Sequence, residues 1–167
     1  GCQNTRKHIL VTGAAGFIGF HSCLALLKHG CFVVGLDNFN SYYPVSLKLA
    51  RDSILAKNRV LVIRGDITDA PLLSDIFQTC LFTHILHLAA QPGVRFAFHH
   101  PYSYIHSNIL GSVTILEEMR KMNPVPILIY ASSSSVYGQS RKLPFSEEDK
   151  ADKPASLYAA TKRGQEL

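Results

Sequence analysis

Short uninterrupted apolar runs alternate along this chain with longer stretches whose apolar residues recur every three or four positions. The runs are HILVT at 8–12, CFVVGL at 31–36, RVLVIR at 59–64, THILHL at 83–88 and PILIY at 126–130. Their length and β-branched content predict buried strands. The intervening stretches predict helices over 17–29 (apolar Ile18, Leu24, Leu26 and Leu27), 46–57, 69–79 and 102–122. Pro71 falls in the first turn of the third, where a missing N–H is harmless. A loop over 132–154 follows, and a last helix starts near Ser156. Strands that are apolar on both sides need cover on both faces, as in a parallel sheet with alternating helices. Right-handed crossovers then give a doubly wound α/β sheet. No repeat, low-complexity segment or linker interrupts the pattern, so 1–167 reads as one domain.

Composition narrows the class. Apolar residues make up 47% of the chain and charged ones 17%, which excludes a disordered chain. No apolar run approaches the roughly 18 residues of a membrane span. GCQNTRKH at the start resembles no signal peptide, so the expectation is a cytoplasmic protein with no membrane segment in this chain. The formal net charge of +5 comes from dispersed Lys and Arg, which reads as a solvated basic surface rather than a nucleic-acid site. Cys2, Cys23, Cys31 and Cys80 form no CxxC pair. Cys23 and Cys31 sit in apolar stretches as small hydrophobes, in keeping with a reducing compartment. The eight histidines include no HExxH, and no metal site is expected.

Gly13, Gly16 and Gly19 form GxxGxxG directly between a predicted strand and a predicted helix. A tight turn needs positive φ there. A pyrophosphate also needs backbone without Cβ atoms and the free N–H groups of a helix start. The alternative is a tight turn with no ligand. Asp37 ends the second strand and can accept both hydroxyls of an adenine ribose while repelling a 2′-phosphate. Asn38-Phe39-Asn40 follows without an arginine, which favours NAD over NADP. Asp66 and Ile67 end the third strand beside an expected adenine edge, although Asp66 reads equally well as a helix N-cap. Leu88, Ala89 and Ala90 end the fourth with small residues that let a cofactor pass. With Phe17 and Ile18 in the first helical turn, these residues make a Rossmann dinucleotide site the expectation.

The last helix carries Tyr158 and Lys162, whose i,i+4 spacing sets both on one face. Bringing a tyrosine's ionisation to neutral pH takes roughly 4 kcal/mol, which a neighbouring ammonium and an oxidised nicotinamide can supply. A serine run, Ser132 to Ser135, begins as the fifth strand ends and can bond a substrate oxygen; the alternative is a polar turn.

TGAAGFIG, Asp37, HLAA, SSSSVYG and YAATK together resemble the extended short-chain dehydrogenases, in the NAD-dependent sugar-nucleotide epimerase/dehydratase group. The likeness runs from about Lys7 to the end and includes LDNFNSYYPVSLK, HLAAQPGVR, PFSEED and PASLYAATK. The resemblance implies Tyr158 as the base, Lys162 as its partner and Ser133 as the catalytic hydroxyl, with Ser134 the neighbouring alternative. Dehydratases and decarboxylating relatives tend to carry an acid between this serine and VYG. Ser134 and Ser135 stand there, which favours an epimerase. The implied reaction is NAD-dependent C4 epimerisation of a UDP-sugar, UDP-glucuronate to UDP-galacturonate, through a 4-keto intermediate. Arg95 is a candidate for an anionic part of the substrate, or else a surface ion pair. Alternatives are a dehydratase or reductase of the same fold, or a non-catalytic NAD-binding remnant. Phe20 stands where the family often has a small polar residue, and is expected to crowd the pyrophosphate end. The family continues for about as long again to build its uridine-nucleotide pocket. The last helix runs to Leu167 without a cap, so the substrate domain is expected to be missing. A homodimer is implied for the full-length protein.

Overall fold

The computed structural model describes residues 6–167, and Cys2 lies outside them. Five strands, β1 (His8–Thr12), β2 (Phe32–Asp37), β3 (Leu61–Arg64), β4 (His84–His87) and β5 (Ile127–Tyr130), form one parallel sheet in the order β3-β2-β1-β4-β5. Ile9 pairs with Val33 on one side and His84 on the other, which sets the register of the centre. The helices are α1 (Phe17–Lys28), α2 (Val45–Lys57), α3 (Ala70–Thr79), α4 (Pro101–Tyr104), α5 (Gly111–Arg120) and α6 (Leu157–Glu166). The chain divides into two units where the sequence reads as one domain. The first runs through Ala89 and includes Thr114–Tyr130; the second comprises Ala90–Val113 and Ala131–Leu167.

In the first unit, successive strand residues point to opposite faces of the sheet, and each face has its own core. Leu10, Val34, Leu36 and Ile85 pack with Leu73, Ile76 and Phe77 of α3. Ile9, Val11 and Val33 pack with Phe20 and Cys23 of α1 and Leu55 of α2. This double cover is why the central strands are continuously apolar. A fully buried side chain such as Leu36 contributes about 1.5–3 kcal/mol. β3 and β5 lie at the sheet edges, so Leu61, Ile127 and Ile129 stay more than half exposed despite equally apolar runs.

Phe20 is 9% exposed and belongs to the core. Its cluster includes Ala14 of the glycine loop itself, together with Cys23 of α1. Cys23 and Cys31 are free and buried, as expected of small hydrophobes. Burial pushes the Cys23 thiol up to about 12.

The second unit departs most from the sequence pattern. The helix expected over 102–122 begins at Pro101 and is interrupted by a π-helical segment, Ile105–Leu110, between α4 and α5. Two 3₁₀ turns, Arg95–Phe98 and Ser134–Tyr137, lie in stretches without apolar periodicity. α6 is started by Ser156, whose hydroxyl accepts the Ala159 amide at 3.0 Å, an N-cap of the usual kind.

Candidate active site

The carboxyl edge of β1 and β2 carries the glycine loop. Gly13 has φ +71°, and a Cβ there would lie 2.9 Å from the Ala89 nitrogen. A Cβ on Gly19 would come within 2.1 Å of the Gly13 carbonyl oxygen. Only glycine fits these two positions. Gly16 caps α1 without a side-chain bond, and no acid lies in the first turn. The helix start thus keeps its amides and positive dipole end for an anion. Phe17 and Ile18 stand exposed in that turn.

Asp37 is 6% exposed and already partnered. Its Oδ2 accepts the Ala15 amide at 3.0 Å, and its Oδ1 the Phe39 amide at 2.8 Å. The Lys48 ammonium sits 3.6 Å from Oδ1 and also donates to Asn40 Oδ1 at 3.0 Å. The carboxylate therefore shapes the glycine loop. A carboxylate has about four acceptor sites, so capacity remains for a hydroxyl. Asn38 donates to Asp66 Oδ2 at 2.8 Å. Asp66 Oδ1 accepts the Thr68 amide and hydroxyl, while the cap of α3 is Asp69, which accepts the Leu72 amide at 3.0 Å. The N-cap reading of Asp66 gives way to a local turn. Ile67 is buried in the core, which leaves its backbone rather than its side chain for a ligand. Leu88 and Ala89 are held from below, their amides donating to Thr12 Oγ1 at 3.2 and 3.1 Å.

The second unit holds the remaining candidates. Lys162 is 4% exposed and donates to the Ala131 carbonyl at 3.1 Å. Burial pulls its ammonium from the ordinary lysine value down to about 8. Glu166, one turn on, accepts from the Ser132 hydroxyl and from Arg163 at 2.7 Å. These bonds hold its carboxyl below the usual range, the Ser132 bond most. Ser133 Oγ accepts the Ser135 amide at 3.2 Å and starts the 3₁₀ turn. An accepting hydroxyl still has its own proton to give. Ser132 is thus committed to α6, Ser134 is exposed, and Ser133 is the serine with a structured position and an unspent donor. Tyr158 is half-buried, its ring meeting Tyr104 edge-on at 6.2 Å. Arg95 is exposed at the start of its 3₁₀ turn with no ion pair among the described residues, and Ala90 is half-buried.

Sequence reasoning missed Lys48, Tyr104 and Asn108. Lys48 lies in the helix predicted over 46–57, and the sequence pattern does not mark it as buried, yet it is 6% exposed. Asn108 sits among other polar residues, His106, Ser107 and Ser112, so nothing in the sequence singled it out. It is fully buried in the π segment. Its side chain accepts the Gln91 amide at 2.8 Å and donates to Gln91 O and to Thr161 Oγ1 at 3.2 and 3.0 Å.

The family model described as GDP-mannose 4,6 dehydratase matches residues 10–167. The chain belongs to this family. UDP-glucuronate 4-epimerase 1 of Arabidopsis thaliana is 57% identical over 160 residues, covering 95% of this chain and 37% of that protein. The structure of UDP-glucuronic acid 4-epimerase from Bacillus cereus, in complex with UDP-glucuronic acid and NAD, matches with a TM-score of 0.84 and 38% identity. That match covers 95% of this chain and 50% of the other. UDP-glucose 4-epimerase from Bifidobacterium longum, with NAD+ and UDP, gives 0.83 and 32%, over 96% and 47%. The chain therefore spans about a third to a half of the relatives it matches. Among the described residues, no helix is long and apolar enough to cross a membrane.

Proposed function

We propose that this family member belongs to an NAD-dependent UDP-sugar 4-epimerase acting on UDP-glucuronate and UDP-galacturonate. The observation that carries the reading is the Tyr158–Lys162 helix beside an acid-free serine run. Lys162 is buried on the Ala131 carbonyl, Ser133 keeps a free donor, and Ser134 and Ser135 occupy the stretch where dehydratases tend to carry an acid. The relatives named as 4-epimerases support it.

The glycine cradle, closed to any Cβ at Gly13 and Gly19, fits a diphosphate. Gly13, Gly16, Phe17, Ile18 and Gly19 would hold it, Asp37 and Asn38 the ribose, and Asp66 with the Ile67 backbone the adenine. Leu88, Ala89 and Ala90 would line its path. When bound, NAD supplies a hydride acceptor and donor for C4 of the sugar. In this reading Tyr158 removes the C4 hydroxyl proton and later returns it, and Ser133 donates a hydrogen bond to the 4-oxygen. Lys162 keeps a positive charge near the phenol and the nicotinamide ribose at neutral pH, because its value of about 8 lies above it. Arg95, exposed and free of an ion pair, takes an anionic part of the substrate, and Ser134 lies next to Ser133 on the substrate side. The same reading includes a homodimer, supported by exposed Ile105, Leu110 and Val113, and a reducing, cytoplasmic setting, supported by free Cys23, Cys31 and Cys80.

The test is incubation of the full-length protein with NAD and UDP-glucuronate, with the sugar nucleotides separated by chromatography. UDP-galacturonate is the expected product, and Tyr158→Phe abolishes its formation while leaving NAD bound. Recovery of a 4-keto-6-deoxy sugar would assign a dehydratase instead.

A further inference from the structure

Tyr104 has no exposed surface and ends α4 just before the π segment. Its hydroxyl reaches two consecutive carbonyl oxygens, Gly93 at 2.6 Å and Pro92 at 3.0 Å. A phenol has one proton, so the bond is shared between the two acceptors, and both hold the ring at its far end. Phe96 flanks the ring at 6.5 Å and 45°. The Tyr158 ring lies 6.2 Å away at 77°, an edge contact of the kind that aromatic quadrupoles favour.

That contact bears on Tyr158. It is half-buried in the first turn of α6, and its hydroxyl has no hydrogen-bond partner among the described residues. The edge contact with Tyr104 is therefore a restraint on where the phenol points that the fold itself supplies. The proton to be moved in the proposed reaction sits on that oxygen, and transfer depends on its placement to a fraction of an ångström.

We infer that Tyr104 is a positioning residue, which sets the ring plane of Tyr158 and relays to it the rigidity of the Pro92–Gly93 carbonyls. This rests on the proposed function for its chemical consequence but not for its structural content. A purely space-filling side chain would need neither the polar anchor nor the edge geometry. Leucine could fill the volume but could not present an aromatic edge.

The experiment uses tyrosine labelled with ¹³C in the ring, with the Tyr158 signal assigned by its loss in Tyr158→Phe. In the unsubstituted protein, Overhauser contacts between the two rings are expected. Tyr104→Leu shifts and broadens the Tyr158 signal, whereas Tyr104→Phe, which keeps the ring and loses the anchor, leaves it near its original position. In turnover by the full-length protein, Tyr104→Leu lowers kcat about 10- to 100-fold with KM little changed, and Tyr104→Phe restores most of kcat. The inference is overturned if the rings show no Overhauser contact. It is equally overturned if Tyr104→Leu lowers only the unfolding midpoint and leaves signal and kcat alone. Should Tyr104→Leu not fold, the ring contacts of the unsubstituted protein still decide. Absence of sugar-nucleotide turnover in the full-length protein would count against the proposed function, and the ring measurement would stand apart from it.

Discussion

Lys162 is an ammonium on a 4% exposed side chain, bonded to a neutral carbonyl. Its value falls from 10.5 to about 8 because burial disfavours the charge. Between about pH 8 and 10.5 the unfolded chain holds the extra proton, so stability rises with pH across that window. Below it the buried charge costs about 3 kcal/mol. Replacement by an apolar side chain of similar length removes that cost and forfeits one hydrogen bond of about 1 kcal/mol. Lys162→Met is therefore expected to be more stable than the unsubstituted protein at pH 7, by about 1–2 kcal/mol. The gain should shrink toward zero by pH 10. Urea unfolding at the two pH values measures it, and a Met variant less stable at pH 7 refutes the buried charge. Glu166 runs in the opposite sense: its lowered value stabilises the fold above the ordinary carboxylate range and is lost as pH falls through the folded value. Ser132→Ala, which removes the first of its partners, should raise the Glu166 titration midpoint seen by carboxyl ¹³C NMR; an unmoved midpoint would break the link from Ser132 to α6.

At the scale of elements, the strand–loop–helix unit of β1 and α1 leaves no room for change at Gly19, where an added Cβ meets backbone that cannot swing aside. Gly19→Ala should cost about 1–3 kcal/mol of stability and abolish dinucleotide binding in calorimetry. Binding with unaltered affinity would show that the loop has another shape. The π segment makes a comparable demand. Asn108→Leu leaves the buried Gln91 amide without its acceptor, a loss of about 1–3 kcal/mol expected as a lower urea midpoint. These two elements differ in how far the sequence reveals them. Apolar runs gave all five strands within a residue or two, and glycine spacing placed the loop, because both follow from local constraints. The π segment, the 3₁₀ turn under Ser133 and the Lys48–Asp37 pair arise from tertiary contacts. A single Asn or Lys within a predicted helix does not say which group it meets. Asp66 shows the same limit: a carboxylate three residues ahead of Asp69 looks like a cap, and only the traced chain tells which one starts α3.

At the scale of the whole molecule, a ligand that binds only the folded chain stabilises it by mass action, about 2.7 kcal/mol at a hundredfold excess over Kd. For a chain of this length that raises the unfolding midpoint by about 5–10 °C. NAD is expected to do so, since the glycine cradle and Asp37 belong to the folded first unit. The sign of discrimination against NADP follows from charge at the ribose. Asp37 repels a 2′-phosphate, but Lys48 at 3.6 Å offsets part of that repulsion, so the preference should be graded rather than absolute. Asp37→Asn should weaken NAD, narrow the gap between the two cofactors, and loosen the loop that the Ala15 amide holds. Lys48→Met, by contrast, leaves the carboxylate uncompensated and should widen the gap. Thermal unfolding of the three proteins with each dinucleotide reads both effects. Equal midpoint shifts from NAD and NADP in the unsubstituted chain would remove Asp37 from the ribose site.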